Sequence, residues 1–229
     1  MLVRKYGGSS LKTMEQIREI CQTLPGEPFV LVLSAAEGRT DELYATATGC
    51  DEENNHHIAL GELESCLRLW SMLDMQNRDA EIIPYKRIGI TASMPHGGRI
   101  VSCDPSYIRS VLERGVIAIV PGFQGMYDNK IAILERGASD DTAVALASML
   151  KVRCEIYSDV PYIYDDNYQR ISTIDYDHLS KIVGKQTAPI SQGAIYLAQQ
   201  ANTEIYFNHW CGKGEGTLVK NSTKCTESC

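Results

Sequence analysis

The run Phe29-Val30-Leu31-Val32-Leu33 constrains this chain most: five apolar residues with no polar alternation read as a strand covered on both faces. Further strands are expected at Leu2 to Lys5, at Glu81-Ile82-Ile83-Pro84-Tyr85, at Val116-Ile117-Ala118-Ile119-Val120, at Cys154-Glu155-Ile156-Tyr157-Ser158 and at Glu204 to Phe207. Between them lie stretches with helical spacing. Leu11 to Thr23 puts Ile17, Ile20, Cys21 and Leu24 on one face, and others span Ile58 to Asp74, Tyr107 to Glu113, Asp140 to Leu150 and Ala194 to Gln200. A helix is also expected around Leu43, Tyr44 and Ala47, whereas the polar, acidic stretch Cys50 to His57 reads as a connection. Strands alternating with helices of this length predict right-handed crossovers and a mainly parallel sheet with helices on both faces.

Composition narrows the function classes. The chain has 229 residues, 44% hydrophobic and 22% charged, with a net charge of -7. An acidic surface attracts neither nucleic acid nor an anionic membrane, so neither is an expected partner. No apolar run reaches the roughly 20 residues needed to span a bilayer. Met1-Leu2-Val3-Arg4-Lys5 enters a glycine turn without a signal-peptide pattern, and a cytoplasmic location is expected. Of the eight cysteines, Cys21, Cys66, Cys103 and Cys154 sit in apolar segments, where a thiol is a small hydrophobe. With no Cys-x-x-Cys spacing, reduced thiols and no structural metal site are expected. His56-His57 lacks partners at metal spacing, and Trp70 shares a helix face with Leu67 and reads as core.

Ligands of open α/β sheets bind beyond the carboxyl ends of the strands, so the residues there are the candidates. Lys5-Tyr6-Gly7-Gly8-Ser9-Ser10 offers glycines that let backbone N–H groups approach phosphate oxygens, and a lysine that could neutralise a transferred phosphoryl group. The same residues also fit a tight turn with Ser10 as a helix cap. Ser34 to Asp41 gathers hydroxyls and charge after a buried strand. Arg136 could grip a carboxylate, and Asp140 could orient a lysine, although Ser139 to Thr142 also suits a plain helix start. Ser158-Asp159 with Tyr162 and Tyr164 suits a purine and ribose, or a solvated loop.

These segments resemble the aspartate kinases of the amino-acid kinase family. Lys5-Tyr6-Gly7-Gly8-Ser9-Ser10 is similar to their Lys-Phe-Gly-Gly-Thr-Ser opening, Thr40-Asp41-Glu42-Leu43 to the end of their Ser-Ala-Met-Gly-Lys-Thr-Thr-Asp segment, and Gly61-Glu62-Leu63-Glu64-Ser65 to their Gly-Glu helix. Gly122-Phe123-Gln124-Gly125 and Arg136-Gly137-Ala138-Ser139-Asp140 resemble the Gly-Phe-Gln-Gly and Gly-Arg-Gly-Gly-Ser-Asp pair. Tyr157-Ser158-Asp159-Val160 and Glu215-Gly216-Thr217-Leu218 complete the order.

The resemblance implies the amino-acid-kinase fold, an αβα sandwich over residues 1–219. Residues 1–135 would be the amino-acid lobe and 136–219 the nucleotide lobe, with 220–229 a frayed tail. It also implies ATP with Mg²⁺, no dedicated metal cage, and a small amino-acid acceptor, L-aspartate first; a homodimer is allowed. Lys5 and Asp140 would be catalytic, Asp140 organising the lysine. Ser34, Thr40, Glu62, Phe123, Arg136 and Ser139 would hold the acceptor, with Glu62 on the α-ammonium and Arg136 on a carboxylate. Gly7, Gly8, Ser9, Ser158, Asp159, Tyr164 and Lys185 would meet the nucleotide. Departures lie at Glu37-Gly38-Arg39, at Glu135 and Ala138, at the loop Asp165 to Arg170, and at Gly184 to Pro189. Another small acid as acceptor, or a silent binding subunit, are the alternatives. Regulation by lysine or threonine through ACT domains is not expected.

Overall fold

The computed structural model describes residues 1–49, 51–183, 190–212 and 214–222. Along the chain come β1 (Val3–Tyr6), α1 (Met14–Thr23), β2 (Val30–Leu33), α2 (Arg39–Thr46), α3 (Asp51–Ile58) and α4 (Leu60–Asp74). Next are β3 (Ala80–Ile82), β4 (Ile90–Ala92), β5 (His96–Gly98), β6 (Ile100–Cys103) and α5 (Ser106–Glu113). They are followed by β7 (Ile117–Pro121), β8 (Gln124–Tyr127), β9 (Lys130–Leu134), α6 (Ser139–Leu150) and β10 (Cys154–Ser158). The short strands β11 (Ile163–Tyr164), β12 (Arg170–Ile171) and β13 (Thr173–Ile174) precede α7 (Tyr176–Val183), α8 (Gln192–Ala201), β14 (Ile205–His209) and β15 (Thr217–Val219).

The principal sheet runs β13-β15-β14-β10-β1-β2-β7-β3, parallel throughout except between β14 and β15. Strand alternation divides it between two cores. Val3, Val30, Val32, Ala118, Val120, Cys154 and Ile156 join the core that contains α6 and α8. Tyr6, Leu31, Leu33, Ile117, Ile119 and Tyr157 join the core that contains α1 and α4. This is the mainly parallel αβα sandwich expected. Parity also decides where the charged residues of β1 go. Lys5 shares the side of Val3 and therefore faces α6. Arg4 points the other way, to Glu155, its neighbour in register on β10, with Nε 2.8 Å from Oε2.

Several elements depart from expectation. Cys50 itself lies outside the described residues, but 51–58 form α3 rather than a connection. Asp51, Glu52 and Glu53 occupy its first turn and His56 and His57 its last, which complements the helix dipole. Asn54 and Gly49 exchange backbone–side-chain bonds of 2.9 Å in both directions, fixing the start. The α1 helix begins at Met14, later than Leu11, because Thr13 and Gln16 form a capping box. Ser10 is not its cap; its hydroxyl donates to Gly7 O at 2.6 Å within a 3₁₀ turn. The strand expected at 81–85 is confined to β3, since Pro84 leads Tyr85 into another 3₁₀ turn. Trp70, expected in the core, lies on the outer side of α4 and donates its indole N–H to Ala80 O at 2.9 Å. A second sheet, β5-β9-β8-β4-β6, was not foreseen at all. It matters for the site, because β7 reaches β8 through Phe123 and β9 feeds the turn that carries Arg136.

Candidate active site

Four neighbouring strands of the sheet, β10, β1, β2 and β7, end on the same side, and their loops are laced together. Gly7 N donates to Tyr157 O at 3.0 Å, Ser34 N to Tyr6 O at 3.2 Å, and Gly122 N to Leu33 O at 3.0 Å. Glu37 N donates to Gly8 O at 3.1 Å. The approach at Gly8 is close enough to require glycine, since a Cβ there would stand 2.4 Å from Ala35 O. At Gly122 a Cβ would stand 2.8 Å from the Cβ of Ser139, so the end of β7 touches the start of α6.

Lys5 and Asp140 meet at this junction. Their charged atoms are 2.7 Å apart, with the residues 8% and 6% exposed, so each charge is compensated in a poorly solvated place. A Cβ on Gly7 would lie 3.6 Å from Lys5 Nζ, which puts the ammonium against the glycine turn. Asp140 Oδ2 also accepts from Ser191 N at 3.2 Å, at the N-cap of α8. Asp141 beside it bonds Ser191 Oγ, and burial raises its carboxyl to about 6.

The six residues expected to hold the acceptor, Ser34, Thr40, Glu62, Phe123, Arg136 and Ser139, line a single cavity of about 250 Å³ together with Ala35 to Gly38 and Asp41. Glu62 comes from α4 and is 2% exposed. Its Oε1 accepts from Ala35 N at 3.3 Å, while Oε2 is buried without a partner. Desolvation pushes this carboxyl up to about 8. Arg136, also in the cavity wall, pairs with Asp41 and lies over the Tyr44 ring. Phe123 is buried with φ at 66°, a backbone conformation rare for a bulky residue and one that collects at ligand sites. Asp41 closes the candidate segment Ser34 to Asp41 without a role assigned to it from sequence, and Tyr44 was read only as part of a helix. Both sit one helical turn or less from Thr40 on α2, and that proximity to a candidate was the available signal. A larger cavity of about 440 Å³ lies against α8 and contains neither Lys5 nor the strand-end loops.

On the other flank, Ser158 closes β10 and its hydroxyl is occupied locally with Val160 N at 3.1 Å. Trp210 N donates to Ser158 O at 2.8 Å, which brings His209-Trp210 to the same rim. Ser9 lies in the 3₁₀ turn, its carbonyl accepting from Gln16 Nε2 at 3.2 Å. Tyr164 sits on the β11–β12 ribbon with its ring 4.7 Å from that of Tyr162, and Asp159 follows Ser158 in the loop. Lys185 lies outside the described residues. Among the described residues no group of three or more His, Cys, Asp or Glu side chains is placed to hold a metal, and no helix is long and apolar enough to cross a membrane.

A buried lysine braced by an aspartate stands against a glycine turn at the carboxyl edge of a parallel sheet, where the ligands of open α/β folds bind. That defines an α/β fold with its candidate ligand site at the strand ends. The chain belongs to the amino acid kinase family, which it matches over residues 1–208. It is 30% identical to Aspartokinase 2 of Bacillus subtilis, covering 100% of this chain and 60% of that protein. With the aspartokinase of Helicobacter pylori it shares 30% identity over 96% of this chain and 59% of the relative. The chain therefore spans about 60% of the length of these relatives. Among solved structures, the aspartate kinase from Synechocystis is similar at a TM-score of 0.84 and 28% identity, over 97% of this chain and 40% of that one. E. coli aspartokinase III in complex with aspartate and ADP superposes at a TM-score of 0.84 with 20% identity, over 98% of this chain and 66% of that one, a likeness of fold.

Proposed function

We propose that this chain is an ATP-dependent kinase of a small amino-acid carboxylate, with L-aspartate the acceptor and 4-phospho-L-aspartate the product. The observation that carries the reading is the polarity of the 250 Å³ cavity: a buried carboxyl with a free oxygen, Glu62, and a guanidinium, Arg136, line the same small space. Such a pair complements the ammonium and the unreacting carboxylate of one small zwitterion, leaving its second carboxylate to react. The relatives' names and the aspartate–ADP complex of E. coli aspartokinase III support the same choice.

The chemistry asks little of the protein. A side-chain carboxylate is ionised at neutral pH and needs no base. One of its oxygens attacks the γ-phosphorus of ATP, the bond to the β,γ-bridging oxygen breaks, and ADP leaves. Charge spread over the phosphoryl oxygens in flight must be neutralised and the partners held in line. Lys5 supplies the neutralising charge, and Asp140 keeps its ammonium aimed at the Gly7–Gly8 turn. Gly8, where only a hydrogen fits, lets the Ala35–Glu37 loop pack against the glycine turn, and the backbone N–H groups of that turn are proposed to meet phosphate oxygens. Mg²⁺ arriving with ATP would supply further positive charge for that neutralisation and would need few protein ligands. Ser158, Asp159 and Tyr164 are proposed for the nucleotide, and the acceptor lobe, drawn as residues 1–135, borrows Arg136 and Ser139 from the start of the nucleotide lobe, drawn as 136–219.

Hydroxylamine trapping with ATP, Mg²⁺ and an amino-acid panel tests this reading. Aspartyl hydroxamate is expected. Transfer to a phosphate, a carbamate or a nucleoside monophosphate with no amino acid accepted would overturn it, as would ATP binding without any turnover.

A further inference from the structure

Arg136 is more than half exposed, its side chain 63% accessible, and an arginine that free samples many rotamers. Here it is held on two sides. Asp41 pairs with the guanidinium, and the Tyr44 ring lies with its centroid 5.4 Å from Arg136 Cζ. Tyr44 is itself fixed from behind. Its hydroxyl is 3.4 Å from His96 Nε2, and the two rings meet edge-on with centroids 5.7 Å apart. His96 Nδ1 lies 2.9 Å from Asn55 Oδ1. Asn55, on α3, is 1% exposed, and its Nδ2 donates to Pro95 O at 2.8 Å and to Ile131 O at 3.2 Å.

These bonds have a single consistent direction. Only the amide nitrogen can donate to two carbonyls, so the Asn55 side chain is oriented with its oxygen toward His96. A neutral His96 then carries its proton on Nδ1 and leaves the Nε2 lone pair to accept from the Tyr44 hydroxyl. The anchor is backbone of β9, at the buried Ile131, and of the segment before β5, at Pro95. Because β9 also runs into the turn bearing Arg136, one strand supports both the arginine and the platform beneath it.

We propose that Tyr44, anchored through His96 to the buried Asn55, is a positioning residue that holds the Arg136 guanidinium at the wall of the acceptor pocket and so sets the preference for an acceptor with a second carboxylate. The proposal rests on Arg136 gripping that carboxylate. An aromatic face steadies the cation without competing for it as a second acid does, so Arg136 keeps its donors for the ligand while Asp41 can be displaced.

Full-chain Tyr44→Leu, Tyr44→Phe, Arg136→Met and Tyr44→Leu/Arg136→Met variants, checked for fold by circular dichroism, test this. Tyr44→Leu should raise KM for aspartate about fivefold, the worth of one partly exposed cation–π contact, with kcat and KM for ATP unchanged. Tyr44→Phe, which keeps the ring and loses its anchor, should show a smaller rise. In the Arg136→Met background, Tyr44→Leu should add nothing. An undiminished effect in that background, or KM for aspartate and ATP rising together, overturns the proposal. The Arg136 Nε–H resonance, assigned by its loss in Arg136→Met, should move in Tyr44→Leu; a signal that stays in place overturns it as well. Should the wild type make no acyl phosphate from aspartate, the acceptor reading falls, and the arginine resonance still decides the platform.

Discussion

Glu62→Gln is the most informative single substitution, because it keeps the shape of the side chain and removes a carboxyl whose ionisation burial disfavours. In the folded chain burial holds this carboxyl at about 8, against an ordinary value of 4.5. The unfolded chain therefore gives up the Glu62 proton between these values while the folded chain retains it. Stability must fall as pH rises from about 4.5 to about 8, and be unaffected by this group below that window. At pH 7 the accumulated loss is about 3 kcal/mol, each pH unit between the two values contributing about 1.4 kcal/mol. Glutamine has no such loss, so the difference in unfolding free energy between variant and wild type should grow by that amount from pH 5 to pH 8. Urea titrations at several pH values read it, and subtracting the two proteins cancels other titrating groups such as Asp141. Acceptor binding adds a second signature. An ammonium beside Glu62 favours its ionised form, so aspartate binding at pH 7 should release close to one proton, seen as a buffer-dependent enthalpy that Glu62→Gln abolishes. Parallel stability curves for the two proteins would refute the reasoning.

Lys5→Met should abolish acyl phosphate formation and cost about 3–5 kcal/mol, because Asp140 is left buried and unpaired; adding Asp140→Asn should restore most of the stability and none of the activity, as urea unfolding and hydroxamate assays would show. Gly8→Ala forces a Cβ to within 2.4 Å of Ala35 O, so a loss of about 2 kcal/mol and a raised KM for ATP are expected from thermal melts and initial rates. Thr13→Ala removes the capping box of α1, away from the pocket, and should lower stability by about 1 kcal/mol while leaving both KM values alone.

What sequence made legible follows from how local each signal is. Strands buried on both faces announce themselves as apolar runs, and β2 and β10 appear within a residue of where they were expected. The six residues expected to hold the acceptor came from the order of the motifs, and they line one cavity although Ser34 and Ser139 are far apart in the chain. The second sheet was not legible, because strands such as β5, His96-Gly97-Gly98, and β8, Gln124-Gly125-Met126-Tyr127, carry no continuous apolar run, and β5 has a register irregularity against β9. Helix α3 has almost no apolar face; its termini and the buried Asn55 secure it, and Asn55's partners come from remote residues. For the same reason the Tyr44–His96–Asn55 chain has no sequence signature. It exists only once α2, α3 and β5 are brought together.

The account stands most directly on whether phosphorus moves from ATP to a carboxylate of aspartate. Phosphorus NMR of the wild-type chain with ATP, Mg²⁺ and L-aspartate should show an acyl phosphate resonance growing in step with ADP, absent with Lys5→Met and absent when aspartate is omitted. ADP appearing without the acyl phosphate, or a phosphorylated product from some other acceptor only, would contradict it.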